Sequence, residues 1–208
     1  MTPAAPTPIE DLLAAPLGLR ERKKLKTRRA IRAAAFRLFT EQGYDGTTVD
    51  QIADAAEVSP STFFRYFPTK EDLVVGDEYD PVMEAALRAR PAGEPVLESM
   101  RQSFLPALRQ IVTAEPEEML LRMRLMQENA VIRARSAAEM IRTVDLLAGI
   151  LSDRTGEPRD SLELRAVVAA VTAACGQAVE HWAQHGGSED VVTLVERSLD
   201  AVAAAFSA

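Results

Sequence analysis

The chain has 208 residues, enough for one large domain or two small ones with a proper apolar interior. Its formal charge is 24 − 31 = −7 and 47% of its residues are hydrophobic; a single cysteine excludes an internal disulfide and points to a reducing compartment. Few glycines and an abundance of Ala, Leu, Glu and Arg favour an all-α fold. The acidic total argues against a nucleic-acid partner, but the charge is unevenly spread. Residues 1–75 carry 11 Lys+Arg against 10 Asp+Glu, the remainder carries 13 against 21, and positions 20–32 hold eight basic residues against Glu21 alone. That pattern describes a basic head on an acidic body.

In chain order, residues 1–19 lack the basic start and continuous apolar stretch of a secretory signal and are expected to form a disordered tail. Ile31, Ala35, Leu38 and Phe39 share one face of a helix expected over residues 24–42, with Gly43 as its stop. Thr47-Thr48-Val49-Asp50 has the form of a capping box and starts a second helix that buries Val49, Ile52 and Ala56. Ser59 as N-cap, with Pro60 at the first helical position, starts a third, which Pro68 ends after about two turns. Thr69-Lys70-Glu71-Asp72 forms another box and opens a fourth helix expected from about 72 to 87. Beyond it, helices are expected over 95–114, 116–129, 132–154, 161–185 and 189–206, with Pro- or Gly-containing breaks between. The longest uncharged run, residues 166–179, has 14 residues and is too short to cross a bilayer, so a cytoplasmic protein with no membrane partner is expected.

The third helix carries four of the chain's eleven aromatic residues, Phe63, Phe64, Tyr66 and Phe67, with Arg65 among them. At helical spacing Phe63 and Phe67 fall on one face and belong to a core, while Thr62, Arg65 and Tyr66 point elsewhere and Phe64 sits at the border. The exposed set suits a major groove: hydroxyls meet bases or phosphates, and arginine pairs bidentately with guanine. Lys70, in the first turn of the next helix, is placed for a phosphate. Two short helices separated by residues 57–59 make a helix-turn-helix. Periodicity alone leaves two readings open, a groove-reading head or a small helical hairpin with an aromatic core.

Residues 29–73, RAIRAAAFRLFTEQGYDGTTVDQIADAAEVSPSTFFRYFPTKEDL, resemble the DNA-binding domain of the TetR family of bacterial transcriptional regulators. The matching pieces are LF-x-x-x-GY, TTV-x-x-IA-x-x-A, VS-x-x-T, an aromatic run ending YF, and P-x-KE-x-L. The resemblance implies an all-α homodimer with an N-terminal three-helix head over residues 20–75. Residues 76–208 would then form a helical body that binds a small-molecule effector and dimerises. It carries DNA contacts onto Thr47, Thr48, Ser61, Thr62, Phe64, Arg65, Tyr66 and Lys70. Three positions depart from the family pattern. Phe64 stands where tyrosine is common, which removes a hydroxyl; Pro60 stands where lysine is common, which removes a charge; Glu57 stands where glycine is common in the turn. The basic stretch before the first helix either tracks a DNA backbone or minor groove, or is a solvated charge run.

In the body, Leu164, Val168, Val171, Cys175 and Trp182 follow three-four spacing along a helix that is apolar nearly all round. The last helix adds Val195, Leu199 and Val202, and these residues are expected to form a four-helix dimer interface. A two-fold pair of heads then reads a palindromic operator in double-stranded DNA. Effector-lining candidates are Met83, Leu87, Phe104, Leu108, Met123, Met126, Met140 and Val144, since flexible thioethers suit an adaptable pocket as well as plain core. His181 and His185 have metal-ligand spacing, but tryptophan stands where a zinc protease needs its glutamate, and the chain has no other histidine. No nucleotide-binding or serine-elbow motif occurs, so no catalytic residue, metal or cofactor is expected. The sequence therefore predicts a ligand-responsive DNA-binding regulator and, as the expected mode of action, a repressor. The alternative is a helical protein–protein interaction module without DNA binding.

Overall fold

The computed structural model describes residues 19–76 and 80–205, which form helices and connecting turns without a strand. In order these are α1 (Leu19–Gln42), α2 (Val49–Ala55), α3 (Pro60–Tyr66), α4 (Glu71–Val75) and α5 (Asp80–Arg88). They continue as α6 (Val96–Ala114), α7 (Pro116–Glu128), α8 (Ala130–Thr155), α9 (Leu162–Gln184) and α10 (Val191–Ala205). The all-α expectation holds, and α1 begins five residues before the expected start. The expected tail, apart from Leu19, lies outside the described residues, as does Phe206 at the end of the last expected helix.

Local chemistry sets the boundaries in the N-terminal part. Gly43 ends α1 with φ +80, a left-handed conformation that costs a side-chain-bearing residue more than glycine, and its N–H reaches Phe39 O at 3.0 Å. The capping box of α2 sits one residue later than Thr47–Asp50. Thr48 is the N-cap, its Oγ1 accepts from Gln51 N at 3.2 Å, and its own N–H donates to Gln51 Oε1 at 2.9 Å. Glutamine reaches back where the shorter aspartate does not. Ser59 caps α3 by accepting from Thr62 N at 3.1 Å, and the extended backbone of Phe67 before Pro68 closes it. Thr69 and Asp72 form the expected reciprocal pair ahead of α4, with Thr69 N and Thr69 Oγ1 both donating to Asp72 Oδ2 at 3.0 Å.

The fourth helix expected over 72–87 is interrupted. Gly76 adopts an extended conformation, φ −63 and ψ 138, and α4 stops at Val75. A Cβ at Gly76 would lie 2.7 Å from Asp72 O and 2.8 Å from Arg28 Nη2, so this position admits only glycine without local movement.

The chain divides into two compact units. The first takes the described residues through 76 together with 121–137; the second takes 80–120 and 138–205. In the first, Ile31, Phe36, Phe39, Ile52, Phe63, Phe67 and Leu73 build one apolar core, completed by Leu125 of α7 and Ile132 of α8. Each fully buried side chain of this kind contributes roughly 1.5–3 kcal/mol. In the second, α9 and α10 form a hairpin in which Val168, Val171 and Trp182 are buried with Val191, Val195 and Leu199. Ser198 Oγ donates to Ala174 O at 3.0 Å, and Arg101 of α6 meets Asp200 of α10 at 2.7 Å.

Candidate nucleic-acid interface

Helix α3 is anchored by its two phenylalanines. Phe63 and Phe67 are 0% exposed, their ring centroids 5.9 Å apart, and this fixes which side of the helix remains outside. Ser61, Phe64 and Arg65 are exposed, and Thr62 and Tyr66 are half-buried at the flank. The hydroxyls at the start of the helix are linked: Ser59 Oγ donates to Thr62 Oγ1 at 2.9 Å, and Ser59 Oγ lies 2.9 Å from Ser61 Oγ. The Arg65 guanidinium stands 5.4 Å from the Tyr66 ring centroid, a cation–π contact that limits its wandering. A short helix presenting hydroxyls, a guanidinium and an aromatic face has the donor and contact set that a major groove accepts.

Two of the predicted contact residues have other tasks. Thr47 is 1% exposed; its Oγ1 donates to Gly43 O at 2.7 Å and accepts from Gln42 Nε2 at 3.2 Å. It therefore closes the end of α1, and the neighbouring Thr48 is the exposed member of the pair. Lys70 Nζ donates to Tyr44 O at 2.8 Å and Thr47 O at 3.0 Å and sits 4.0 Å from the Tyr44 ring centroid. Two of its three N–H groups thus hold the 43–47 turn against the start of α4, which leaves one for a phosphate. The Tyr44 hydroxyl donates to Glu71 Oε1 at 2.9 Å, and burial, reinforced by that carboxylate, pushes its pKa up and keeps it a donor.

Sequence reasoning missed the arginines that set the helix ends. Arg28 Nη1 donates to Tyr66 O at 3.2 Å, and its guanidinium lies 4.4 Å from the Phe67 ring centroid, so part of the basic stretch acts inside the head. At the end of α4, where four carbonyls have no helical partner, two arginines converge. Arg32 donates to Leu73 O at 3.1 Å and also bonds Gly76 O. Arg122 of α7 donates to Val74 O at 2.5 Å and Val75 O at 2.9 Å. Both are buried, at 3% and 8% exposure. Arg135 of α8 pairs with Asp72 at 2.7 Å, again within the first unit. Glu57, the residue in place of a turn glycine, keeps the left-handed conformation with φ 55, so the turn geometry survives the substitution with some strain.

Residues 31–75 match the family model of bacterial regulatory proteins of the tetR family, and residues 94–207 match that of the MftR C-terminal domain. The transcriptional regulator TcmR of Streptomyces glaucescens is 33% identical over 196 residues, covering 91% of this chain and 83% of TcmR. The chain belongs to the TetR family. Among solved structures, Thermus thermophilus FadR, a TetR-family repressor in complex with lauroyl-CoA, is 28% identical with a TM-score of 0.58, covering 83% of this chain and 91% of that one. Bacillus subtilis FadR in complex with stearoyl-CoA, at 23% identity and a TM-score of 0.52 over 83% of this chain and 95% of that one, shares the fold.

In this TetR-family chain the expected dimer residues are turned the other way. Leu164, Val168, Val171, Trp182, Val195 and Leu199 are buried within the single chain, with Cys175 and Val202 half-buried, because the three-four row of α9 faces α10. Burial pushes the Cys175 thiol up to about 11. The exposed side of α9 includes Leu162, Glu163, Ala166, Val167, Ala169 and Ala173 in its first half and Gln177, His181 and Gln184 in its second. This helix has the length and composition to cross a membrane, yet one of its rows packs on α10.

Of the expected effector-lining residues, Met123 and Met126 belong to the first unit, where Met126 packs against the core, and the other six belong to the second. There Leu87 is buried, Met83, Phe104, Leu108 and Val144 are half-buried, and Met140 is exposed. An open depression of about 470 Å³ on α9 and α10 is lined by other residues, mostly polar, including Gln177, Glu180, His181 and Arg197. His181 and His185 stack with centroids 4.1 Å apart, and His185 Nδ1 lies 2.8 Å from His181 O. Among the described residues no three His, Cys, Asp or Glu side chains are grouped as a metal site.

Proposed function

We propose that this DNA-binding transcriptional regulator is a repressor that grips a palindromic operator as a homodimer and releases it when a small-molecule effector binds the helical body. The observation that carries the reading is the arrangement of α3, with Phe63 and Phe67 fully buried and Ser61, Phe64 and Arg65 outside. Thr48 at the start of α2 and the remaining N–H of Lys70 supply phosphate contacts beside it. The protein works in the cytoplasm, where operator DNA lies, and is not an enzyme.

The homodimer forms through the exposed face of α9, whose small residues at 166, 169 and 173 allow close helix approach. The effector has an extended apolar portion, in keeping with the lauroyl-CoA held by Thermus thermophilus FadR. Helix α7 supplies residues to both units, and its Arg122 holds the carbonyls of Val74 and Val75. A ligand that resets α7 therefore resets α4, provided that it binds the two states unequally.

The test is a titration of labelled intergenic DNA from beside the protein's own gene at several salt concentrations. Sequence preference with a steep negative slope of log affinity against log salt is expected, as is release by lauroyl-CoA. Arg65→Ala is expected to relax the preference. A flat salt response without preference would support a protein-binding module in its place.

A further inference from the structure

On a helix that turns about 100° per residue, the outer arc of α3 resolves into two rows of residues four apart. Ser61 and Arg65 form a polar row; Pro60 and Phe64 form an apolar row beside it. All four are exposed, and Phe64 is 51% exposed. Its ring is not loose: it stands edge-on to Phe63 at 86° with centroids 5.4 Å apart, and Phe63 is locked in the core. The chain therefore holds a phenyl ring in a set position on the same arc as its DNA-facing hydroxyl and guanidinium.

This inference rests on the operator-binding reading above. A phenyl ring and a pyrrolidine ring offer nothing to a phosphate, which takes hydrogen bonds and charge. In the major groove the apolar group is the C5-methyl of thymine. We propose that the Pro60–Phe64 row reads thymine methyl groups in each operator half-site, alongside polar base edges read by the Ser61–Arg65 row. The two departures at positions 60 and 64, which by sequence alone look like the loss of a charge and of a hydroxyl, then act together. They exchange phosphate contacts, which carry no sequence information, for contacts that distinguish T·A from the other pairs.

The experiment begins with random-sequence selection on the full-length protein to obtain an operator. Each thymine of the half-site is then replaced in turn by deoxyuridine, which removes only the methyl group. At one position or more in each half-site, wild-type affinity is expected to fall about fourfold, the transfer free energy of one methyl-sized group. Phe64→Ala is expected to bind the thymine operator more weakly and to show no difference between thymine and uracil at that position. Its thermal midpoint is expected to fall only slightly, because half of the residue is exposed and the edge contact to Phe63 is the packing that is lost. Should Phe64→Ala bind too weakly to titrate, Phe64→Leu is expected to retain a reduced thymine preference. A wild-type protein indifferent to every thymine-to-uracil change, or a Phe64→Ala protein that keeps the full difference, would overturn the methyl reading while leaving operator binding intact. Selection that enriches no sequence would overturn both.

Discussion

In the first unit Arg28, Arg32, Lys70 and Arg122 donate to backbone carbonyl oxygens beside the reading helix and at the end of α4; in the second, Arg88, Arg101 and Arg165 pair with carboxylates. A guanidinium on a carbonyl fixes the main chain itself. A guanidinium on a surface carboxylate joins two flexible side chains that salt screens. A helix that reads a groove gains from the first kind of tie, because its base contacts depend on where the backbone stands; ties of the second kind are more readily exchanged. Arg154, which reaches Pro91 O at 3.3 Å and also bonds Ser99 Oγ, is the second unit's nearest counterpart and holds the turn between α5 and α6.

The contrast is broken most readily at its strongest point. Arg122→Met leaves the carbonyls of Val74 and Val75 without that donor and is expected to cost about 3 kcal/mol; Arg88→Met, at the surface, is expected to leave stability close to wild type. Urea unfolding of the two variants decides, and equal losses would erase the distinction. Thr47→Val comes next: loss of its buried hydroxyl is expected to lower stability by about 1.5 kcal/mol. DNA affinity at fixed salt should stay unchanged, whereas a genuine hydroxyl contact to phosphate, once lost, would weaken binding to all sequences alike.

Glu57→Gly acts in the opposite direction. Relief of a left-handed side-chain-bearing residue is partly offset by glycine's greater freedom when unfolded, so a gain of about 0.5 kcal/mol is expected. A lower thermal midpoint would show that the Glu57 side chain contributes more than its backbone strain costs. The smallest effect is at Glu94. The Arg90 guanidinium, with the Ser99 hydroxyl, holds its carboxyl down at about 2. A depressed carboxylate contributes stability above its ordinary range and loses it as the pH falls towards that value. The stability gap between wild type and Glu94→Gln is therefore expected to be constant near neutrality and to close during acid titration towards pH 2. A gap independent of pH would assign the effect to packing.

Much of the head was legible because its signals are local. Gly43, the Ser59–Pro60 cap and the Phe63–Phe67 pair each act within a few residues and sit where sequence reading puts them. The errors arise where two local patterns compete or where the partner is remote. Thr47–Asp50 and Thr48–Gln51 both have the spacing of a box, and the longer glutamine side chain decides for the second. The break at Gly76 depends on close approach by Arg28 and Asp72, and the ends of Arg32 and Lys70 depend on which carbonyls the fold brings near them. On α9 the apolar residues run nearly all round, so periodicity does not say which row meets α10 and which is left outside. The structure assigns Leu164, Val168, Val171 and Trp182 to the inner row.

The presence of Leu125 and Ile132 in the same core as Phe63 and Phe67 bears on protein engineering. A chimeric regulator made by cutting after position 76 would carry away the groove-reading helices with a hole in their hydrophobic support. Transplanting this head onto a foreign sensor requires a second splice that brings residues 121–137 with it.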